Sequence, residues 1–195
     1  MTATAERPIP APSEIASLDD LAEALDAATH EARVAWIRSL GGKAIQDLFA
    51  RAEGRAVAVS DLVDAAGAPV PCEGKNGLAA FNRFAKVFAR VDDEVVGYNR
   101  TTGLAAFFGG PGHFVAYDAT DETDGAPGEV VIDYRRLPAR THPDFPALRS
   151  NDRGTARLIY GGMYDLVRRV SRHVFVGDSF RDLPGGAPFI IVRPS

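Results

Sequence analysis

Residues Ala156 to Phe180, ARLIYGGMYDLVRRVSRHVFVGDSF, constrain the fold more than any other stretch. The pattern predicts two β-strands, roughly Ala156 to Val170 and Val174 to Phe180, joined by the polar turn Ser171-Arg172-His173. Tyr164, Leu166, Arg168 and Val170 would share one face, and Met163, Asp165, Val167 and Arg169 the other. Neither face is purely apolar, which suits a curved sheet around a partly polar cavity better than a flat sheet over a dry core. The Gly161-Gly162 pair is then expected to mark a bulge or a bend at a barrel corner.

The chain on either side extends this reading. From Leu78 onward the signals predict strands over Leu78 to Val91, Glu94 to Asn99, Gly103 to Phe108, His113 to Ala119, Glu129 to Leu137 and Pro188 to Arg193. Asp92-Asp93 and Gly109-Gly110-Pro111-Gly112 read as turns. Around eight strands in about 115 residues is the count at which a sheet can close into a small barrel with room for one ligand. Ahead of it, Ser17 and Thr29 cap two helices, a third runs from about Lys43 to Glu53, and a helical turn begins at Ser60-Asp61. Ala68-Pro69-Val70-Pro71 reads as an extended crossover. The expected fold class is therefore α+β, mainly β, with an antiparallel barrel of about eight strands preceded by three or four short helices. The expected organisation is a flexible Pro-containing tail over 1–14, a helical segment over 15–67 packed on the barrel, and the barrel over 75–195. Pro138 to Thr155 is a candidate lid, because loops beyond about 12 residues usually bind, cover or stay disordered.

The patterns VIDY at Val131 to Tyr134, YDLVRRVSRHVFVG at Tyr164 to Gly177 and FIIVR at Phe189 to Arg193 resemble the closing strands of lipocalin-like small barrels of uncharacterised bacterial proteins. The resemblance is to the carboxyl-terminal half of the GXWXG and lipocalin-like families and covers the last half of the chain. A GXWXG element itself is missing, since Trp36, the only tryptophan, falls in a helix. The resemblance implies a lipocalin-like barrel and a pocket for a hydrophobic ligand.

Composition narrows the function classes. A net charge of −4 without a basic cluster argues against nucleic acid as a partner. One cysteine, Cys72, forms no internal disulfide and fits a reducing compartment. No stretch reaches the roughly 18 apolar residues of a membrane span, and MTATAERPIPAPSE has no secretory pattern, so a cytoplasmic protein is expected. His30, His113, His142 and His173 show no metal-ligand spacing, so no metal site is expected. His113, opening a strand after Gly112, has two readings: a hydrogen-bonded strand-end histidine, or a ligand for haem at the barrel mouth. Without that haem, no cofactor is expected. Gly109-Gly110-Pro111-Gly112 lacks the spacing and the following helix of a phosphate loop, and no Gly-x-Ser-x-Gly elbow exists.

Asp133 is the most informative single residue. Directed into a barrel it would need a cation, and Arg168 or Lys86 could supply one. Alternation allows the other phase equally, with Asp133 and Arg135 facing water and Val130, Ile132 and Tyr134 facing the core. Asn82, Arg83, Lys86, Tyr98 and Asn99 are polar positions among Phe81, Phe84 and Phe88, some of which must face a cavity or a loop seam. Two functions follow. The first is binding of a small, largely hydrophobic ligand, with Phe84, Lys86, Phe88, Phe107, Phe114, Tyr134 and Phe175 as candidate ligand-binding residues and Tyr164 adding to the apolar lining. The second is a cofactor-independent isomerase, lyase or hydrolase with Asp133 or His113 as base and Arg168 or Tyr164 stabilising negative charge. A protein whose helices pack on a partner is a third option, and the even spread of charge does not select it. Fold alone does not decide among these, and the oligomeric state is open.

Overall fold

The computed structural model describes residues 8–78, 82–101, 110–181 and 187–195. Ser17 Oγ accepts the Asp19 N–H at 3.0 Å and starts helix α1 (Leu18–Ala27). Thr29 Oγ1 accepts the Ala32 N–H at 3.2 Å and starts α2 (His30–Ser39). Helix α3 (Gly42–Arg51) follows, and 3-10 turns cover Pro12–Glu14 and Val59–Leu62. Eight strands then alternate direction: β1 (Val70–Asn76), β2 (Arg83–Val91), β3 (Glu94–Arg100), β4 (His113–Asp118), β5 (Val130–Asp133), β6 (Tyr164–Arg169), β7 (Val174–Phe180) and β8 (Phe189–Val192). They pair in sequence order, and β1 returns onto β8 to close an antiparallel barrel. This is the expected α+β, mainly β architecture: a lipocalin-like antiparallel barrel preceded by short helices.

The barrel carries an apolar layer on each side of its wall. Inside, Cys72, Phe88, Phe114, Ile132, Val167, Phe175 and Ile191 form one cluster. Outside, Val174, Val176, Ile190 and Val192 meet Leu21, Leu25, Ile37, Ile45 and Leu48 of the helices. The helices are amphipathic because one stripe must cover this outer wall. One end of the barrel is stoppered by Val57, Leu62 and Val63, which join the inner cluster. The Val57 N–H donates to Gly128 O at 2.8 Å, and the Val59 N–H to Asp118 at 2.6 Å, tying the stopper down. The opposite end is a mouth.

Three expectations are corrected. Ala156 to Val170 is not one strand: α4 (Gly154–Tyr160) precedes β6. Ala156 and Tyr160, four residues apart, turn one helical face inward while Leu158 and Ile159 stay exposed. Gly162, at φ +67, makes the turn into β6, so the glycine pair ends a helix rather than bulging a strand. Second, Val70-Pro71, the end of the supposed crossover, opens β1. Pairing to β8 begins only at Glu73, so Pro71 needs no N–H on that side. Third, the strand expected over Glu129 to Leu137 is shorter, Val130–Asp133. The strand expected over Gly103 to Phe108, and Phe107 with it, lie outside the described residues.

Candidate functional site

The mouth opens into a cavity of about 650 Å³. Phe84, Leu158, Ile159, Tyr160, Met163 and Phe189 make its walls, and Asn76, Ser179 and Arg181 also line it. Its polar lining comes from Lys86 on β2, Asn99 on β3, Tyr134 just after β5 and Asp165 on β6. Each of these follows the inward phase of its strand. Lys86 lies between Phe84 and Phe88, and Asp165 shares its face with Val167.

The four polar groups form a closed set. Lys86 Nζ lies 2.8 Å from Asp165 Oδ2 and 3.3 Å from Asn99 Oδ1, and donates to the Tyr134 hydroxyl. Asn99 Nδ2 donates to the same hydroxyl at 2.9 Å, and the hydroxyl lies 3.3 Å from Asp165 Oδ2 as its donor. An ammonium has three protons, and here each has an acceptor. Ring centroids of Phe189, Tyr134, Phe114 and Phe84 stand 4.7, 5.0, 5.5 and 5.6 Å from Nζ, within cation–π reach. One atom is left over. Asp165 is 1% exposed, and its Oδ1 has no hydrogen-bond partner among the described residues.

Burial lowers the pKa of Lys86, and the Asp165 carboxylate opposes that shift. Burial, reinforced by Asp165, raises the Tyr134 phenol well above its ordinary value. The Tyr160 phenol, stacked on Tyr134 at 5.2 Å and 16°, is pushed up to about 12, mainly by burial. Both tyrosines therefore stay neutral and act as hydrogen-bonding groups at neutral pH.

Of the residues proposed from sequence, Phe84, Lys86 and Tyr134 line this cavity. Phe88, Phe114 and Phe175 are fully buried in the packed interior beside the stopper and contribute core rather than cavity wall. Asp133 meets neither Arg168 nor Lys86, the two cations considered as its partners. Asp133 takes the outward phase, where Arg135 Nε at 2.8 Å and the Tyr117 hydroxyl at 3.2 Å hold its carboxylate. Burial would raise the Asp133 pKa, but the Arg135 hydrogen bonds outweigh it and hold the group below its usual range. Arg168 also points outward, donating to Glu129 at 2.6 Å and to Phe49 O at 2.8 Å and so clamping α3 to the barrel. Tyr164 stacks on Phe180 outside, beneath the Arg135 guanidinium.

His113 is buried on the outer wall too. Its Nε2 lies 3.3 Å from Ala147 O, and Phe145 packs on neighbouring Tyr98 at 4.8 Å. The candidate lid at Pro138 to Thr155 thus runs mostly along the outer wall, pinned by Asn151 Nδ2 to His113 O at 2.6 Å and to Tyr134 O at 2.8 Å. What reaches the cavity is the segment after it, Leu158 to Met163. Sequence reasoning missed Asp165 and Tyr160 as site residues. The signal for Asp165 was Lys86 itself, a lysine flanked in phase by two phenylalanines, which requires a buried acceptor.

A second depression, about 570 Å³, lies between Pro12 and α3, and its arginine, Arg51, already donates to Pro12 O and Ile15 O. Among the described residues no cluster of three metal-ligating side chains occurs, and no helix is long and apolar enough to cross a membrane. No protein-family description, curated protein or solved structure matches the chain.

Proposed function

We propose that this barrel binds one small, largely hydrophobic molecule in its mouth cavity, with a polar end of the ligand against Lys86, Asn99, Tyr134 and Asp165. The observation that carries this reading is an apolar-walled cavity of about 650 Å³ with a few convergent polar groups, within the roughly 300–1,000 Å³ of small-molecule sites. The resemblance of the closing strands to lipocalin-like barrels supports the same reading. Titration with N-phenyl-1-naphthylamine tests it: the dye should brighten on binding at one site. Ser179→Trp, which fills the cavity from β7, should abolish the signal at unchanged melting temperature. Dye binding that survives Ser179→Trp would sink the proposal.

A catalytic use of the same cavity would need Lys86, beside Asp165 and Tyr134, in its neutral form, towards which burial pushes it against the opposing Asp165 carboxylate. Such an amine could take a proton from a ligand or attack a carbonyl, releasing water and leaving an imine. Incubation with octanal and borohydride should then yield one reduced adduct on Lys86, and an unmodified lysine would rule out the imine route. Asp133 and His113 face the outer wall and are not part of this reading.

A further inference from the structure

Within the set of Lys86, Asn99, Tyr134 and Asp165, one acceptor is left without a donor. Lys86 directs its three protons at Asp165, Tyr134 and Asn99. The Tyr134 hydroxyl accepts from Lys86 and Asn99 and donates to Asp165. Within this set the unpaired atom is Asp165 Oδ1, which is buried and has no partner among the described residues. A buried carboxylate oxygen without a donor is destabilising, and a donor supplied there forms a charge-assisted hydrogen bond. The charge balance points the same way. Lys86 and Asp165 neutralise each other, so a ligand carboxylate placed here would meet Asp165 as a like charge.

From this geometry we infer that the ligand is a hydrophobic alcohol, whose hydroxyl donates to Asp165 Oδ1 while its apolar body lies between Phe84, Phe189, Tyr160 and Met163. The inference rests on the cavity reading above and names the chemical class that the cavity selects. An ether of the same size can only accept, and gains nothing from Oδ1. A fatty carboxylate is disfavoured beside Asp165 and would have to turn its head away from it.

Calorimetric titration of the whole protein with 1-octanol, 1-methoxyheptane and octanoate separates these possibilities. The first two contain the same number of heavy atoms and differ in whether the oxygen carries a proton. 1-Octanol should bind at least about tenfold more tightly than 1-methoxyheptane, the size of a hydrogen bond to a charged partner, and more tightly than octanoate. Equal affinity for alcohol and ether would overturn the assignment while leaving the cavity reading intact. Tighter binding of octanoate would also overturn it, placing the polar end away from Asp165. If none of the three bound, the cavity reading would fall as well. In the double variant Lys86→Met, Asp165→Leu the preference for alcohol over ether should shrink to about twofold or less. A preference that persisted there would contradict the role of Asp165, and if that variant did not fold, the wild-type comparison would still decide.

Discussion

Lys86 and Asp165 stand on β2 and β6, four strands apart in a ring of eight, so their 2.8 Å contact spans the barrel lumen. Neither side chain is more than 4% exposed. Buried pairs of this kind are weak evidence for stability as such, because desolvation offsets much of the attraction. Removing one partner, however, strands the other charge. Asp165→Ala should therefore destabilise the protein by about 3–5 kcal/mol, while Lys86→Met with Asp165→Leu should return most of that loss. Urea unfolding of the single and double variants measures both. Additive losses would mean that the two groups do not depend on each other.

That pair shows how far the sequence could be read. Period-two alternation and turn residues made the barrel legible, because strand identity is a local property. The inward phase of β2 was legible as well, since Phe84, Lys86 and Phe88 lie two apart. The phase of β6 was not. Both faces of Tyr164 to Val170 mix apolar residues with an arginine, and the outer face looked inward because helices bury Leu166 and Val170 there. A wall covered on both sides loses the polar-out signal that fixes phase. The partner of Lys86 is set by register around half the barrel, which no local pattern encodes. Helix α4 was hidden for a different reason: one apolar turn beside a strand fits either period.

His113 links stability to pH. Burial lowers its pKa below the ordinary 6.5, with the Ala147 carbonyl opposing. In the window between the lowered value and 6.5 the unfolded chain binds more protons than the folded one, so stability rises with pH there and is lost on acidification. His173, also lowered by burial, acts with the same sign. Urea midpoints followed between about pH 5 and pH 8 should fall towards the acid end, and His113→Phe, which keeps a ring against Tyr98, should flatten part of that slope. An unchanged slope would place the titration elsewhere.

Gly177 on β7 faces Phe189 on β8 across a ladder pair. A Cβ at Gly177 would stand 2.3 Å from the Phe189 ring and 2.8 Å from Leu166 O, so the glycine is the space that lets this ring lie against the wall. Gly177→Val should cost about 1–3 kcal/mol by overpacking. Because Phe189 is also a cavity wall, the substitution should weaken dye binding as well. Lost stability with unaltered binding would mean that the ring yields without moving into the cavity.

The amino-terminal residues carry the last prediction. Prolines suggest a dispensable tail over 1–14, yet Pro10 O accepts the Trp36 indole N–H at 2.9 Å, and Pro12 O accepts from Arg51 at 2.8 Å. Trp36 is 7% exposed, so a chain beginning at Ala16 leaves its N–H short of an acceptor in a largely dry place. That unpaired donor alone should cost about 1–3 kcal/mol. The same truncation made in a Trp36→Phe background should cost less, because phenylalanine keeps ring packing but has no N–H to strand. Melting temperatures of the four chains form the cycle. If truncation cost the same with tryptophan and with phenylalanine, the Pro10 hydrogen bond would carry no stability, and any loss would come from the packing of Ile9 and Ile15 and from the contacts of Pro12 and Ile15 with Arg51.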